Sequence, residues 1–304
     1  MTLEYRIYDV FTDRPFTGNP LAVVEGAEEL DDAGMQAIAR EFNLSETVFL
    51  LPPALPGHSA AVRIFTPDVE LPFAGHPTVG SALALAETRF VGQKGETDVL
   101  VVLEEKVGPV RCGVRLTRDG GFAEFDVPRL PTRIPAEVDR GMVAAALALA
   151  PTEISFENHI PTVWSAGVPF VFVPVAGLEV AARARVDAAL WNEAAPDIEG
   201  RRAACYVYCR DTINHDCHFH ARMFAPAMGI GEDPATGAAV AAFGGVVHQF
   251  DAPVDGLLRL WIEQGIEMGR PSRIRLEIDV EQGGIARARI GGSAIKVAEG
   301  RLYL

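Results

Sequence analysis

The chain is short of cysteine, of positive charge and of long apolar runs, and each shortage removes a class of function. Its 304 residues carry 27 lysines and arginines against 41 aspartates and glutamates, a net charge of −14. No basic tract offsets that deficit, which argues against nucleic acid or an anionic membrane as a main partner. An anionic substrate would have to be drawn in locally, by a helix end or a nest of backbone amides. No apolar stretch approaches the roughly 18 residues of a membrane span. The opening MTLEYRIYDVF carries Glu4, Arg6 and Asp9 where a signal peptide needs an apolar core. A cytoplasmic protein is therefore expected. The four cysteines, Cys112, Cys205, Cys209 and Cys217, are few for the length and form no tight metal-like pairs, which fits that expectation.

The densest group of possible ligands is CYVYCRDTINHDCHFH, with Cys205, Cys209, His215, Cys217, His218 and His220. Alternation places Cys205, Val207 and Cys209 on one strand face, and His218 and His220 on one face of another. The spacings match no tetrahedral zinc pattern. Two strands of a hairpin are expected there, and no metal.

What the chain has in abundance is repetition. RIFTPDVELPFAGHPTVGSALALA, from Arg63, reads like RMFAPAMGIGEDPATGAAVAAF, from Arg222. Arg63, Phe65 and Pro67 match Arg222, Phe224 and Pro226; after a gap, Pro77, Gly80, Ala82 and Ala84 match Pro234, Gly237, Ala239 and Ala241. Upstream, TGNPLAVVEG resembles SAGVPFVFVP, each a turn and then an apolar strand. A helical stretch follows, 31–42 or 180–194, and then another strand, 44–51 or 204–210. The order of elements thus repeats, which predicts a duplicated fold. The boundary is expected near DVPRLPTRIPAEVD, with its three prolines, giving domains at 1–128 and 129–304. The last strand, about 296–304, is expected to cross back to the first domain.

PTVGSALALAE and PATGAAVAAFGGVV are small and apolar around most of their circumference, so each is expected to be a helix buried on all sides. With many β-rich segments around each, the fold class expected is α+β, a sheet curled around a central helix, twice. Pro77 and Pro234 suit the first helical turn, which would make His76 and Asp233 the N-caps. A buried helix start with glycines before it can hold a carboxylate. Taken alone, an Asp before Pro is a cap and a lone His is as readily structural. The pair gains meaning from its equivalent place in the two halves.

NLSETVFLLP poses a separate problem. Glu46 shares a strand face with Val48 and Leu50, and an ionised carboxylate there is costly unless paired. From spacing alone it is a strand-end residue with its head in water, and Glu41 is a surface charge. The alternative is a buried carboxyl tuned toward neutrality, able to take and return a proton near pH 7.

FTGNPLAVV, NLSETVFL, RIFTPDVELPFAGHPTVGSA and GEDPATGAA, in this order over nearly the whole chain, resemble the phenazine-biosynthesis PhzF-like isomerase family. That family is related in fold to diaminopimelate epimerase and proline racemase. The resemblance implies two similar domains, each a β-barrel around a central α-helix, with the active site between them. It implies a homodimer needing neither metal nor organic cofactor. It makes Glu46 the catalytic acid/base, with His76 and Asp233 as catalytic partners, and places Gly75 and Gly237 in the lining of the substrate pocket. There is one departure: Ala238 stands where the family has Ser after Thr-Gly, while Ser81 holds the corresponding place in the first half. The phenazine-pathway substrate is thereby left open.

The implied activity is cofactor-independent acid/base isomerisation of a small anionic substrate resembling trans-2,3-dihydro-3-hydroxyanthranilate. Only the first half has a carboxylate at this place, the second reading AACYVY, so proton traffic would be one-sided. An amino-acid epimerase or racemase is the alternative, though not through two cysteines, because neither helix-start motif contains one. A catalytically silent small-molecule binding protein is the other.

Overall fold

The computed structural model describes residues 1–90, 96–117 and 120–304. Its first half comprises β1 (Thr2–Val10), β2 (Asn19–Glu25), α1 (Asp32–Phe42), β3 (Glu46–Leu51), β4 (Ala60–Phe65), β5 (Glu70–Leu71), α2 (Gly75–Arg89), β6 (Thr97–Glu105), β7 (Gly108–Thr117) and β8 (Gly120–Asp126). There follow β9 (Thr132–Ile134), α3 (Arg140–Ala146), β10 (Thr162–Ser165), β11 (Pro169–Pro174), α4 (Leu178–Arg183), α5 (Ala188–Ala194), β12 (Asp197–Ile198) and β13 (Arg201–Arg202). The chain ends with β14 (Ala204–Cys209), β15 (Phe219–Ala225), β16 (Ile230–Asp233), α6 (Gly237–Asp251), β17 (Gly256–Gln264), β18 (Ser272–Glu281) and β19 (Gly284–Tyr303). Two compact units result: Met1–Pro128 with Gly291–Leu304, and Arg129–Ile290.

In the first unit the strands pair in the order β1, β2, β3, β4, β6, β7, β8, β19 and back to β1, which closes a barrel of eight. The parallel pair β2–β3 requires a crossover, and α1 supplies it. Asp31 caps that helix, accepting from the Gly34 amide at 2.8 Å. The Met35, Ile38 and Ala39 stripe packs against Leu3, Val24, Phe49 and Phe65. With α1 on one side and the barrel interior on the other, β2 and β3 are covered on both faces, which explains their unbroken apolar runs.

Inside the barrel lies α2, against β1, β2, β3, β6, β7 and β8. Residues Gly75 to Ala84 are all buried, as the absence of a polar face predicts. Gly80 is what lets the wall close: a Cβ there would lie 2.4 Å from Leu21 Cδ2 and 3.0 Å from Val10 Cγ2.

The second unit repeats the plan. From β10–β11 to β17–β18 its pairings run antiparallel, parallel, antiparallel, parallel, antiparallel. The series from β1–β2 to β6–β7 is the same. Helix α6 takes the central place, against β9, β10, β11 and β18. The parallel pair β11–β14 is bridged by α4 and α5, whose Val180, Ala181 and Trp191 join the core outside the sheet.

The duplication reaches single side chains. Arg63 grips Glu70 with Nε and Nη2 at 2.8 and 2.7 Å, and Arg222 grips Glu232 in the same way at 2.8 and 2.9 Å. Each guanidinium also lies over the next phenylalanine of its strand, Phe65 at 5.1 Å and Phe224 at 4.9 Å.

Two local expectations need correction. The single helical stretch at 180–194 is two helices, because the chain extends at Ala184 and Asp187 restarts it by capping Ala189 and Leu190. Nor are His76 and Asp233 N-caps. Helix α2 starts at Gly75 behind Ala74, so His76 and Pro77 lie inside its first turn, where proline's missing N–H still costs nothing. Helix α6 starts at Gly237 behind Thr236, with Asp233 and Pro234 before it. The expected hairpin is present, β14 pairing antiparallel with β15. Among the described residues no His, Cys, Asp and Glu side chains gather as a metal would require. Likewise, no helix among them is long and apolar enough to cross a membrane.

Candidate active site

Glu46 opens β3, which touches the central helix, and His76 lies in that helix's first turn. Their side chains are brought together: His76 Nδ1 is 3.4 Å from Glu46 Oε2, and the two side chains are 5 % and 15 % exposed. That separation is longer than a normal hydrogen bond. It is within the range catalytic pairs show before a substrate tightens them.

Burial holds the imidazole far below its usual range, at about 3, against the opposing hydrogen bond of the Pro20 backbone. His76 is therefore neutral at physiological pH, with one donor and one acceptor nitrogen. Its Nε2 is buried and makes no hydrogen bond among the described residues. If Glu46 is ionised, Nδ1 carries the proton toward it and Nε2 is an acceptor. With the ring's one proton held at Nδ1, by the Pro20 carbonyl as by an ionised Glu46, Nε2 is left as a buried acceptor.

The other expected site residues are divided between the units. Gly75 is the first residue of α2 and Ser81 lies nearly two turns further in, its Oγ buried and without a hydrogen bond among the described residues. Gly237 and Ala238 are the first two residues of α6. Asp233 ends β16, paired with Met223, and is 7 % exposed. Thr236 donates to its carboxylate, and Gln264 Nε2 donates to its backbone carbonyl at 2.7 Å. Neither Ala74 nor Thr236 caps its helix with its own side chain, and the Thr236 amide donates to Gln264 Oε1 at 3.3 Å.

Two buried groups escaped the sequence. His220, one of the histidines of the dense cluster, is fully buried between Glu263 Oε1 at 2.9 Å and Glu267 Oε1 at 3.0 Å. Burial alone would lower its pKa, but the two carboxylates outweigh burial and raise it to about 9. Glu263 also accepts from the amides of Ile213 and Asn214, tying the loop before β15 to the end of β17. The second is Glu105, which ends β6 on the inward face shared with Val101 and Leu103. The signal for it was available: a carboxylate in register with apolar neighbours, the same feature that singled out Glu46.

The sequence profile of the phenazine biosynthesis-like (PhzC-PhzF) proteins matches residues 8–300. An uncharacterized isomerase of Mesorhizobium japonicum is 57 % identical over 304 residues, 100 % of this chain and 99 % of that protein. The trans-2,3-dihydro-3-hydroxyanthranilate isomerase of Pseudomonas aeruginosa is 32 % identical, with 99 % of each chain covered. Among solved structures, a phenazine biosynthesis protein of the PhzF family from Bacillus anthracis superimposes with a TM-score of 0.87 at 26 % identity, covering 100 % of both chains. The chain belongs to the phenazine biosynthesis-like family, and it is an isomerase of that family.

Proposed function

We propose that this isomerase moves a proton within a small carboxylate-bearing substrate of the trans-2,3-dihydro-3-hydroxyanthranilate kind, using Glu46 as general acid/base and no cofactor. The observation that carries the proposal is the approach of His76 Nδ1 to 3.4 Å from Glu46 Oε2. Glu46 removes a proton from one carbon and returns it to another on the same face of the substrate. His76, neutral throughout, offers the acceptor Nε2 to a donor group of the substrate beside Glu46. The first turn of α2 offers its partial positive charge to a carboxylate.

Asp233 is proposed as a further catalytic residue, on its place in the second unit equivalent to His76 in the first. Gly75, Ser81, Gly237 and Ala238 are proposed to line the substrate pocket. The small side chain of Ala238 would favour a substrate that asks for no hydroxyl there. A homodimer is proposed as the working state, to be checked by sedimentation equilibrium.

The test is NMR in D₂O with trans-2,3-dihydro-3-hydroxyanthranilate. Wild type is expected to convert it with deuterium entering the product ring, and Glu46→Gln to be slower by about 10²–10⁴. Equal conversion by Glu46→Gln, or conversion by wild type without solvent exchange, would overturn the role given to Glu46.

A further inference from the structure

Glu105 lies deep in the first barrel, 6 % exposed, and makes no ion pair among the described residues. Its flanking neighbours are committed elsewhere, Glu104 to His58 and Lys106 to Glu70. Glu105 Oε1 is 2.8 Å from Thr78 Oγ1 on α2, and that same hydroxyl is 2.8 Å from the backbone carbonyl of Ala74. Glu105 Oε2 is buried without a hydrogen-bond partner among the described residues.

A threonine hydroxyl has one proton and a carbonyl has none. If Thr78 donates to Ala74, its contact with Glu105 is a hydrogen bond only when Glu105 supplies the proton. If Thr78 donates to an ionised Glu105, the hydroxyl and the Ala74 carbonyl face each other as two lone-pair oxygens at 2.8 Å. Both contacts are satisfied in one arrangement alone: Glu105–H to Thr78 Oγ1, and Thr78 O–H to Ala74.

We propose that Glu105 is a protonated carboxylic acid that positions the first turn of α2, and with it His76, by donating to Thr78. Ala74 immediately precedes the helix, and the amide of Thr78 also returns to its carbonyl, at 3.2 Å. The chain Glu105–Thr78–Ala74 therefore fixes the peptide from which Gly75 and His76 depart. Burial, working against the Thr78 hydrogen bond, pushes the Glu105 carboxyl up to about 8. Glu105 and Asp126, which ends β8, both lie near Cys112 on β7, and His76 lies two residues before Thr78 on α2. His76 is held neutral, and burial, with the Asp126 charge beside it, holds the Cys112 thiol well above its ordinary range. Among the described residues, none of these groups supplies a cation to stabilise an ionised Glu105. The consequence for turnover rests on the reading of His76 and Glu46 as the reacting pair; the positioning itself does not.

The experiment follows the amide resonances of Gly75, His76, Thr78 and Val79 from about pH 6 to about pH 10 in wild type, Glu105→Gln and Glu105→Leu, alongside the side-chain carboxyl ¹³C resonance of Glu105. Wild type is expected to show a protonated Glu105 at neutral pH and a shift of these amides with a midpoint near 8. Glu105→Gln keeps a donor for Thr78 and should match neutral wild type at every pH. Glu105→Leu should be displaced throughout. An ionised Glu105 at neutral pH, amides that ignore its titration, or a Gln variant as displaced as a Leu variant would each overturn the proposal. If Glu105→Leu fails to fold, the first two of these outcomes still decide. In turnover, wild type should lose kcat at constant KM above that midpoint and Glu105→Gln should not. A wild type that converts no substrate refutes the proposed function and leaves the amide result to stand or fall separately.

Discussion

His76 and His220 are both buried histidines, and their neighbours set them to opposite charges. Around His76 burial prevails and the ring stays neutral; around His220 two carboxylates prevail and the ring is a cation. Their effects on stability run in opposite directions with pH. The folded pKa of His76, about 3, lies below the ordinary 6.5. Acidification below about pH 6.5 therefore protonates only the unfolded chain, and stability falls as pH drops toward 3. Thermal melts of His76→Asn should show a shallower loss between neutral and acid pH than wild type, and the ¹⁵N shifts of the native ring should not titrate across neutrality. The folded pKa of His220, about 9, lies above the ordinary 6.5, so its contribution is complete below that value and disappears as pH rises through 9. Removing it leaves Glu263 buried beside Glu267, so His220→Ala should cost about 3–5 kcal/mol in denaturant unfolding, with the deficit narrowing above pH 9.

Among the elements, the two central helices were the most legible. Their small apolar composition on every side can be satisfied only by burial all round, and the sequence of Gly75–Arg89 announces that without any partner being known. The helix starts were less legible. Proline is welcome anywhere in the first turn, so Pro77 and Pro234 fix a helix start only to within several residues, and in α6 the proline falls outside altogether. The split between α4 and α5 was hidden for a related reason, since the cap at Asp187 lies within a stretch of good helix formers. As for the site, Glu46 could be suspected from its strand face, but its meeting with His76 depends on the barrel wall closing around α2, which no local pattern encodes. Gly80 is a direct probe of that closure. Gly80→Ala adds a methyl 2.4 Å from Leu21 Cδ2, and overpacking of this kind should cost about 1–3 kcal/mol, measurable by urea unfolding.

At the scale of the whole molecule, the repeat was legible because both halves keep the same order of strands and the same arginine in β4 and β15. What the repeat could not disclose is which side chains differ in purpose. Arg63 and Arg222 do the same thing twice, whereas the carboxylate of Glu46 has no counterpart in AACYVY. Identical scaffolds with a one-sided carboxylate are what a single proton carrier would require. The first unit is also dependent on distant chain. Thr2 pairs with Tyr303, and residues 291–304 supply the strand between β8 and β1. A fragment of residues 1–128 should therefore fail to give a cooperative melt by circular dichroism, and adding a peptide of residues 291–304 should restore one.

That last strand bears on how the protein is made. A ribosome delivers β1 first, yet β1 waits with one edge unpaired until residues 294–303 have emerged from the exit tunnel. Every residue of the second unit, Arg129–Ile290, has been synthesised by then. The half that is translated first is the half completed last, and for the interval between, an open strand edge is exposed to whatever else in the cell can pair with it.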